Sequence, residues 1–205
     1  MHNEIHEYLH KVCPVRHPVL QEMERHAEEN GFPIIGPLVG RYLYQTATIL
    51  KARRIMELGS GYGYSAFWFS LAVKGKGKIV MTDGNRGNKR KAIDFFKRAG
   101  LQSQFDFRVG NALNTLKRQE GPFDIILNDI DKIDYPKTID LVAPRLRKGG
   151  VFITDNIIWD GKVFAGKKDA TTEAIVEFTR KLYEDSRFFT TVLPIRDGIA
   201  VSVRV

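Results

Sequence analysis

Short apolar runs alternate with amphipathic segments from residue 54 onward. The apolar runs are typical of strands buried in a sheet and predict strands at 54–58, 78–82, 105–109, 123–129 and 151–154. Between them, apolar residues recur at helical spacing and predict helices at 65–73, 86–99, 112–118 and 135–148. The last of these helices is expected to stop at Gly149-Gly150, because glycine readily adopts a left-handed cap. Strict alternation of strand and helix indicates a parallel sheet covered on both faces.

The two ends of the chain follow different patterns. A last helix predicted at 172–185 precedes two strands, 188–193 and 198–205, which turn at Arg196-Asp197-Gly198 and therefore pair antiparallel. Residues 1–52 are predicted to form a helix, a turn at Gly31-Phe32-Pro33 and a second helix. We therefore predict a single α/β domain over 1–205, with N-terminal helices over 1–52 and a Rossmann-like core over 53–205.

The composition is typical of a globular chain. Hydrophobic residues make up 43% and charged residues 27% of the 205 positions, which excludes a disordered protein. No window approaches ~18 consecutive apolar residues, so no membrane span is expected. The N-terminus lacks a basic stretch followed by an apolar one, so no secretory signal is expected. Cys13 is the single cysteine and cannot form an intramolecular disulfide, which favours a cytoplasmic location.

Positive charge is in excess and partly clustered. The chain has 32 Lys and Arg against 24 Asp and Glu, a formal net charge of +8. The predicted helix at 86–99 contributes a basic stripe made of Arg86, Lys89, Arg90, Lys91, Lys97 and Arg98. Such a stripe is either a solvated helix flank or a surface that attracts phosphates.

A glycine-rich turn follows the first predicted strand. Glycines at 59, 61 and 63 let the chain turn sharply into a helix whose N-terminal amides can face a ligand. The dinucleotide-binding motif requires a small residue where Tyr64 stands. Glu57 adds a carboxylate beside the turn, which would repel a pyrophosphate and suit a cationic group. Asp83 closes the second strand, where a carboxylate accepts hydrogen bonds from ribose hydroxyls. S-adenosylmethionine combines a ribose with a positively charged end and fits both features.

Polar side chains also end the fourth and fifth predicted strands. Asp129 lies at the end of one, and Asp155 and Asn156 lie at the end of the other. Because neighbouring parallel strands end at one edge of the sheet, we expect the three side chains to converge. Their oxygens suit Mg²⁺, although acidic residues at strand ends also serve as helix caps. Lys132 can reach the same edge, where a nearby cation would lower the pKa of its ammonium group and make it a general base.

Several of these segments together carry a family resemblance. They are residues 57–65, 129–132 with Tyr135, Gly149-Gly150, 155–163 and 193–198. In combination they resemble the cation-dependent O-methyltransferases of the catechol and caffeoyl-CoA type, and the likeness covers nearly the whole chain from Gly31. The resemblance implies a seven-stranded Rossmann-like methyltransferase sheet, mostly parallel, with an antiparallel last strand and an N-terminal helical extension.

The resemblance also implies roles for individual residues. S-adenosylmethionine and Mg²⁺ or another divalent cation would be the cofactors. The metal would be held by Asp129, Asp155 and Asn156, and Lys132 would be the catalytic base. The residues implied to contact S-adenosylmethionine are Ile35, Glu57, Gly59, Gly61, Ser65, Asp83, Asn111, Ala112 and Asp129.

Three functions are compatible with these residues. The first is methyl transfer to a hydroxyl of a catechol-like small molecule. The second keeps the same site but acts on tRNA, since some bacterial relatives of this family methylate a hydroxyuridine and the basic stripe suits a phosphate backbone. The third is a non-catalytic nucleoside- or RNA-binding protein on the same scaffold. Relatives are often dimers, so a homodimer is expected.

Overall fold

The computed structural model of the protein describes residues 2–14 and 16–205. Seven strands within these residues form one sheet. They are β1 Arg54–Leu58, β2 Lys78–Asp83, β3 Phe105–Val109, β4 Phe123–Asn128, β5 Leu146–Thr154, β6 Phe188–Leu193 and β7 Ile199–Arg204. The α-helices are α1 His2–Val12, α2 Pro18–Asn30, α3 Gly36–Ile49, α4 Tyr64–Val73, α5 Arg86–Arg98, α6 Ala112–Lys117, α7 Thr138–Val142 and α8 Ala170–Glu184.

The strand order is β3-β2-β1-β4-β5-β7-β6. β1 to β5 pair in parallel, whereas β7 is antiparallel to both of its neighbours, β5 and β6. The predicted mostly parallel sheet with an antiparallel last strand is therefore confirmed. Leu58 pairs with both Thr82 and Asn128, and Asn128 pairs with Thr154, so four strands end at one edge. The chain order reverses between β1 and β4, the position where open α/β sheets bind ligands.

The sheet separates two apolar layers. Alternate residues of β1 face opposite sides, so Ile55 packs with α2 to α5, while Met56 and Leu58 pack with α6 to α8. Glu57 shares the face of Ile55 and is fully buried. Covered on both faces, the sheet is a rigid platform for the loops at its edge. No helix among the described residues has the length and apolar character needed to span a bilayer.

The predicted helix at 135–148 is wrong in its second half. The helical part consists of a 3₁₀ segment Lys132–Lys137, the short α7 and a 3₁₀ turn Ala143–Arg145. Pro144 ends the helix because it has no N–H to donate to the preceding turn. β5 then begins at Leu146, which the apolar spacing had assigned to the helix.

Gly149-Gly150 lie inside β5 and cap no helix. The pairing of β4 with β5 shifts between Phe123↔Leu146 and Ile125↔Val151, so the glycines form an irregular bulge. A Cβ on Gly150 would lie 3.0 Å from the carbonyl oxygen of Asp124 on the neighbouring strand. Glycine at this position is therefore explained by close approach of the two strands.

The other predicted boundaries agree closely with the structure. The bounds of β1, β3 and β6 are confirmed, and those of α4, α5 and α6 differ by at most one residue. The N-terminal region holds three helices among the described residues where two were predicted. α1 was missed because its apolar residues do not form a buried face: Tyr8 is 65% exposed and Val12 is 56% exposed.

Candidate functional site

The glycine turn after β1 packs directly on the loop that follows β4. Gly59 has φ +84°, and a Cβ there would lie 2.3 Å from the carbonyl oxygen of Asp129. The N–H of Asp129 donates to the carbonyl of Leu58 at 2.8 Å. Only glycine fits this conformation and this approach without a shift of the backbone. The turn thus brings two predicted site residues, Gly59 and Asp129, into contact.

A closed set of hydrogen bonds ties the same turn to β2. The N–H of Ser60 donates to the Thr82 carbonyl at 2.7 Å, and the N–H of Thr82 donates to Ser60 Oγ at 3.1 Å. The Thr82 hydroxyl donates to the Glu57 carbonyl at 2.8 Å and accepts from the N–H of Gly59 at 3.2 Å. The turn is therefore rigid before any ligand binds.

Glu57 lies beneath the turn as a fully buried carboxyl group. Neither of its carboxyl oxygens has a hydrogen-bond partner in the described structure. Burial raises the pKa of Glu57 to about 7, although the nearby hydroxyls of Ser65 and Ser60 lower it. A buried carboxyl group without a donor is costly, and a cationic group or N–H donor would stabilise it.

The predicted nucleoside contacts line one cavity of about 370 Å³. Asp83 lies at its edge and accepts hydrogen bonds through Oδ1 from the N–H of Asn85 and the amide of Asn88. Asn111 caps α6 by accepting from the N–H of Asn114 at 2.9 Å. The predicted site residues that line this cavity are Gly59, Asp83, Asn111, Ala112 and Asp129. A second, smaller cavity is lined by Ile35, Gly59, Gly61, Ser65 and Asp129.

The predicted metal ligands and base line a third cavity of about 320 Å³. Asp129, Lys132, Asp155 and Asn156 all contribute to its wall. Lys132 Nζ lies 2.7 Å from Asp129 Oδ1 and 3.3 Å from the Ile130 carbonyl oxygen. Its ammonium also lies over the rings of Tyr135 and Trp159, at 5.4 and 5.7 Å. The structure therefore brings together the four residues that the sequence placed at neighbouring strand ends.

Asp155 is almost completely buried. Its Oδ1 has no hydrogen-bond partner, and its Oδ2 lies 3.7 Å from Arg196. The pKa of Asp155 is raised to about 7, chiefly by burial and then by the Asp129 carboxylate, while Arg196 opposes the shift. Residues 2–14 and 16–205 contain no group of three or more His, Cys, Asp or Glu side chains that could hold a metal ion. The predicted ligand set has two carboxylates and one amide, and its role stays a prediction.

Two further residues hold the predicted metal ligands in place. Neither was assigned a site role from the sequence. Asp197 accepts from the side-chain amide of Asn156 at 3.0 Å and from the N–H of Asp160 at 2.6 Å. The hydroxyl of Tyr135 donates to the Asp155 carbonyl at 3.0 Å. Asp197 and Tyr135 belong to the segments that carry the family resemblance, which is the only signal that could have marked them.

Left-handed backbone is concentrated around this third cavity. Six non-glycine residues in the described part of the chain have positive φ. Four of them lie at or next to Asp129, Asp155 and Asn156, which we call the acidic cluster. These four are Asn156, Trp159, Asp160 and Arg196. Each such residue costs free energy that the fold must offset, and such residues cluster at functional sites. The loops after β5 and before β7 are therefore held in shapes that favour glycine.

The basic stripe on α5 is partly engaged with α2. Lys91 contacts the His26 ring at 2.7 Å, and Arg98 pairs with Glu22 of α2 and with Asp94. Arg86, Arg90 and Lys97 are exposed. The stripe therefore serves in part as a packing and ion-pairing flank, with three exposed cations left on its surface.

Sequence comparisons identify the family of the chain. The family model described as O-methyltransferase matches residues 10–205. Caffeoyl-CoA O-methyltransferase from Medicago sativa is 30% identical over 210 residues, which cover 95% of this chain and 85% of that protein. Caffeoyl-CoA O-methyltransferase 2 from Eucalyptus globulus is 33% identical over 180 residues, which cover 81% of this chain and 72% of that protein.

Solved structures show the same fold. A methyltransferase from Geobacter sulfurreducens is similar with a TM-score of 0.85 at 27% identity, covering 99% of this chain and 96% of that chain. The O-methyltransferase from Bacillus cereus, in complex with SAH, has a TM-score of 0.89 at 24% identity and covers 100% of both chains. The family resemblance read from the sequence is confirmed. The chain therefore belongs to the cation-dependent O-methyltransferase family and is an S-adenosylmethionine-dependent O-methyltransferase.

Proposed function

We propose that this methyltransferase uses a divalent cation and methylates one hydroxyl of a catechol-like small molecule. The proposal is supported by the contact between the glycine turn, which would hold the cofactor, and the loop that carries Asp129. Gly59 of the cofactor turn packs on the backbone of Asp129, whose side chain lines the cavity shared with Lys132, Asp155 and Asn156. A methyl donor on the turn and a hydroxyl acceptor at the acidic cluster would therefore be neighbours.

The cofactor half fits the chemistry of S-adenosylmethionine. Glu57 offers a buried carboxyl without a partner, which suits the ammonium group of the methionine part. Asp83 has one oxygen in use by Asn85 and Asn88, and its other oxygen can accept from ribose hydroxyls. Asn111 and Ala112 line the same cavity and would border the adenine.

The donor set at the acidic cluster fits a hard divalent cation. Asp155 Oδ1 is buried without a hydrogen-bond partner. The Asn156 amide donates through its nitrogen to Asp197, and this bond leaves the amide oxygen available to a cation. Asp129, Asp155 and Asn156 would hold Mg²⁺ through oxygen atoms. When bound, the cation would supply Lewis acidity that lowers the pKa of the acceptor hydroxyl.

Lys132 would receive the proton. Asp129 and the Ile130 carbonyl hold its Nζ at the wall of the cavity, between the rings of Tyr135 and Trp159. With Nζ in its neutral amine form, the hydroxyl proton would pass to Nζ and the acceptor oxygen would attack the methyl carbon of the sulfonium group. A carbon–oxygen bond forms as the carbon–sulfur bond breaks, which gives a methyl ether and S-adenosylhomocysteine. No covalent enzyme intermediate is needed.

A tRNA hydroxyuridine remains the second candidate acceptor. Arg86 follows closely on Asp83 at the nucleoside cavity, and the exposed Arg90 and Lys97 continue the positive surface along α5. This surface would attract a phosphate backbone. The small-molecule acceptor is preferred because part of the stripe is engaged with α2 through Lys91 and Arg98.

A methyl-transfer screen with labelled cofactor tests the proposal. Catechols, phenylpropanoid thioesters, unmodified tRNA and hydroxylated tRNA would each be incubated with the enzyme and Mg²⁺. We expect label in a catechol-type product and none with Lys132→Ala. Label in hydroxylated tRNA alone would select the second candidate. Cofactor binding with no transfer to any of these acceptor classes would contradict both candidate acceptors.

A further inference from the structure

Arg196 presents a guanidinium to the cavity that holds the acidic cluster. It lines this cavity together with Lys132, Asp155 and Trp159, and its side chain is 38% exposed. Within the described residues it makes no hydrogen bond, and its nearest carboxylate oxygen, Asp155 Oδ2, lies 3.7 Å away. That distance is too long for a hydrogen bond. Lys132, the other cation of this cavity, is already bound to Asp129 at 2.7 Å.

The loop that carries Arg196 is fixed by its neighbours. The Asp197 carbonyl accepts from the N–H of Ile158 at 2.8 Å, and the Gly198 carbonyl accepts from the N–H of Ile157 at 3.0 Å. The N–H of Gly198 donates to the Ile195 carbonyl at 2.9 Å and closes the turn. The guanidinium is therefore attached to a rigid turn, as precise binding of a ligand requires.

The backbone of Arg196 adds an independent observation. Its φ is +54°, a left-handed conformation in which glycine would be free of strain. A structural turn alone would gain from glycine at this position. A function of the side chain in the cavity would explain why arginine stands at this position.

The residues that line the cavities show where the guanidinium of Arg196 lies. The smaller cavity near the methionine end is lined by Ile35, Ser60 and Ser65, and Arg196 is absent from its wall. Arg196 lines instead the cavity that contains Asn156 and Trp159. Gly59 and Gly61 of the glycine turn border the same cavity. The guanidinium of Arg196 therefore reaches the space between the glycine turn and the acidic cluster, where the proposed acceptor would bind.

We propose that Arg196 binds an oxyanion of the acceptor, a carboxylate or a phosphate, so that the enzyme prefers an anionic molecule carrying the hydroxyl to be methylated. The proposal rests on the proposed O-methyl transfer and names the class of its acceptor. A guanidinium offers a planar fork of N–H donors that matches the two oxygens of a carboxylate or phosphate. Arg196 is thus assigned to acceptor specificity, while Lys132 is assigned to proton transfer.

The test compares two matched acceptor pairs with the wild type and Arg196→Gln. One pair is 3,4-dihydroxybenzoate and its neutral amide, and the other is 5-hydroxyuridine 5′-monophosphate and 5-hydroxyuridine. We expect KM for the anionic member of one pair to rise roughly 10- to 100-fold in the variant, with KM for the neutral member and kcat unchanged. The pair that responds distinguishes a carboxylate from a phosphate. Equal changes for anionic and neutral members would overturn the proposal.

Two controls separate this role from others. Lys162→Gln removes a cation that lies over the Trp159 ring, 5.0 Å from its centroid, but does not line the cavity, so it should leave both pairs unchanged. Calorimetry should give the same Kd of S-adenosylhomocysteine for the wild type and Arg196→Gln. A weaker Kd in the variant would assign Arg196 to the cofactor and overturn the proposal.

Failure of the proposed function would be recognised separately. If the wild type transfers no methyl group to any of the four acceptors, the proposed acceptor chemistry fails. Calorimetric titration with 3,4-dihydroxybenzoate and with 5-hydroxyuridine 5′-monophosphate still decides the role of Arg196, because it needs no turnover. A weaker Kd of either anion in Arg196→Gln supports oxyanion binding, and equal Kd values for both overturn it.

Discussion

The turn after β1 and the loops that face it across the site are built in opposite ways. The turn is closed by hydrogen bonds to Thr82 and uses glycines where φ is positive. The loops after β5 and before β7 place Asn156, Trp159, Asp160 and Arg196 in the left-handed region. The turn thus has glycine at each of its positions of positive φ, whereas the loops hold non-glycine residues in the same conformation.

The difference also appears in the charged groups. Glu57 on the cofactor side is a single fully buried carboxyl group among apolar residues and neutral hydroxyls. On the acceptor side, Asp129, Asp155 and Asp197 are interleaved with Lys132 and Arg196. Substitutions in the first region should thus change stability and cofactor binding, and substitutions in the second should change turnover and acceptor or metal affinity.

The largest effect is expected from Lys132→Met, which removes the proposed base from the acceptor side. Loss of a positioned base costs roughly 10²- to 10⁴-fold in rate. We expect kcat to fall by that factor while the Kd of S-adenosylhomocysteine by calorimetry stays within about twofold. A fall of less than tenfold in kcat would show that Lys132 is not the base.

Gly59→Ala tests the fit of the cofactor turn. Its Cβ would meet the Asp129 carbonyl oxygen at 2.3 Å and would occupy a left-handed backbone, so we expect a loss of roughly 2–4 kcal/mol in the free energy of unfolding. Gly75→Ala is the matched control, because φ is +74° but no atom lies within 4 Å, and it should cost only about 1 kcal/mol. Urea unfolding of both variants measures the loss in the free energy of unfolding. Equal losses would contradict the close approach of Gly59 to the Asp129 carbonyl oxygen.

The buried Glu57 predicts how stability depends on pH in the protein without cofactor. Its carboxyl stays protonated in the folded state up to about pH 7, whereas in the unfolded chain it ionises near 4.5. The folded state therefore binds more protons between these values, and the free energy of unfolding falls as pH rises through this window. Glu57 accounts for about 3 kcal/mol of that fall, and Asp155 acts in the same direction.

Glu57→Gln should remove the contribution of Glu57 and leave a shallower profile between pH 4.5 and 7. Urea unfolding of both proteins across this range provides the measurement. Parallel profiles for wild type and variant would mean that Glu57 is not desolvated as described. Added S-adenosylmethionine should stabilise the wild type more than the variant at pH 8.

Asp197→Ala should have the smallest effect, and only on the acceptor side. It removes the acceptor of the Asn156 amide and of the Asp160 N–H. Loss of a residue that orients a metal ligand typically weakens metal affinity 10- to 100-fold. We expect Mg²⁺ activation to shift to roughly tenfold higher concentration with cofactor affinity unchanged. Asp106→Ala, which breaks only an ion pair with Arg108 on β3, should shift neither quantity.

The two regions also differed in how much the sequence revealed. Glu57, Gly59, Gly61 and Ser65 lie within one segment, so their proximity follows from local pattern. Asp129, Asp155 and Asn156 could be brought together because neighbouring parallel strands end at the same edge. Both inferences use only periodicity and topology, which the sequence carries directly.

The features that were not predicted from the sequence depend on contacts between residues far apart in the chain. Asp197 and Asn156 are 41 residues apart, and their hydrogen bond forms only because β7 pairs with β5. The start of β5 was placed too late because Gly149-Gly150 act as a bulge against β4, which helical spacing cannot show. Arg196 was visible as a turn residue, but the position of its guanidinium 3.7 Å from Asp155 and its left-handed backbone appear only in three dimensions.

The most direct test of the central claim is a metal titration of methyl transfer. The enzyme would be stripped with EDTA, supplied with labelled S-adenosylmethionine and a catechol-type acceptor, and titrated with Mg²⁺. We expect no transfer in EDTA, full recovery with Mg²⁺, and recovery lost or shifted to much higher Mg²⁺ in Asp155→Asn. Undiminished transfer in EDTA would contradict a cation held by Asp129, Asp155 and Asn156.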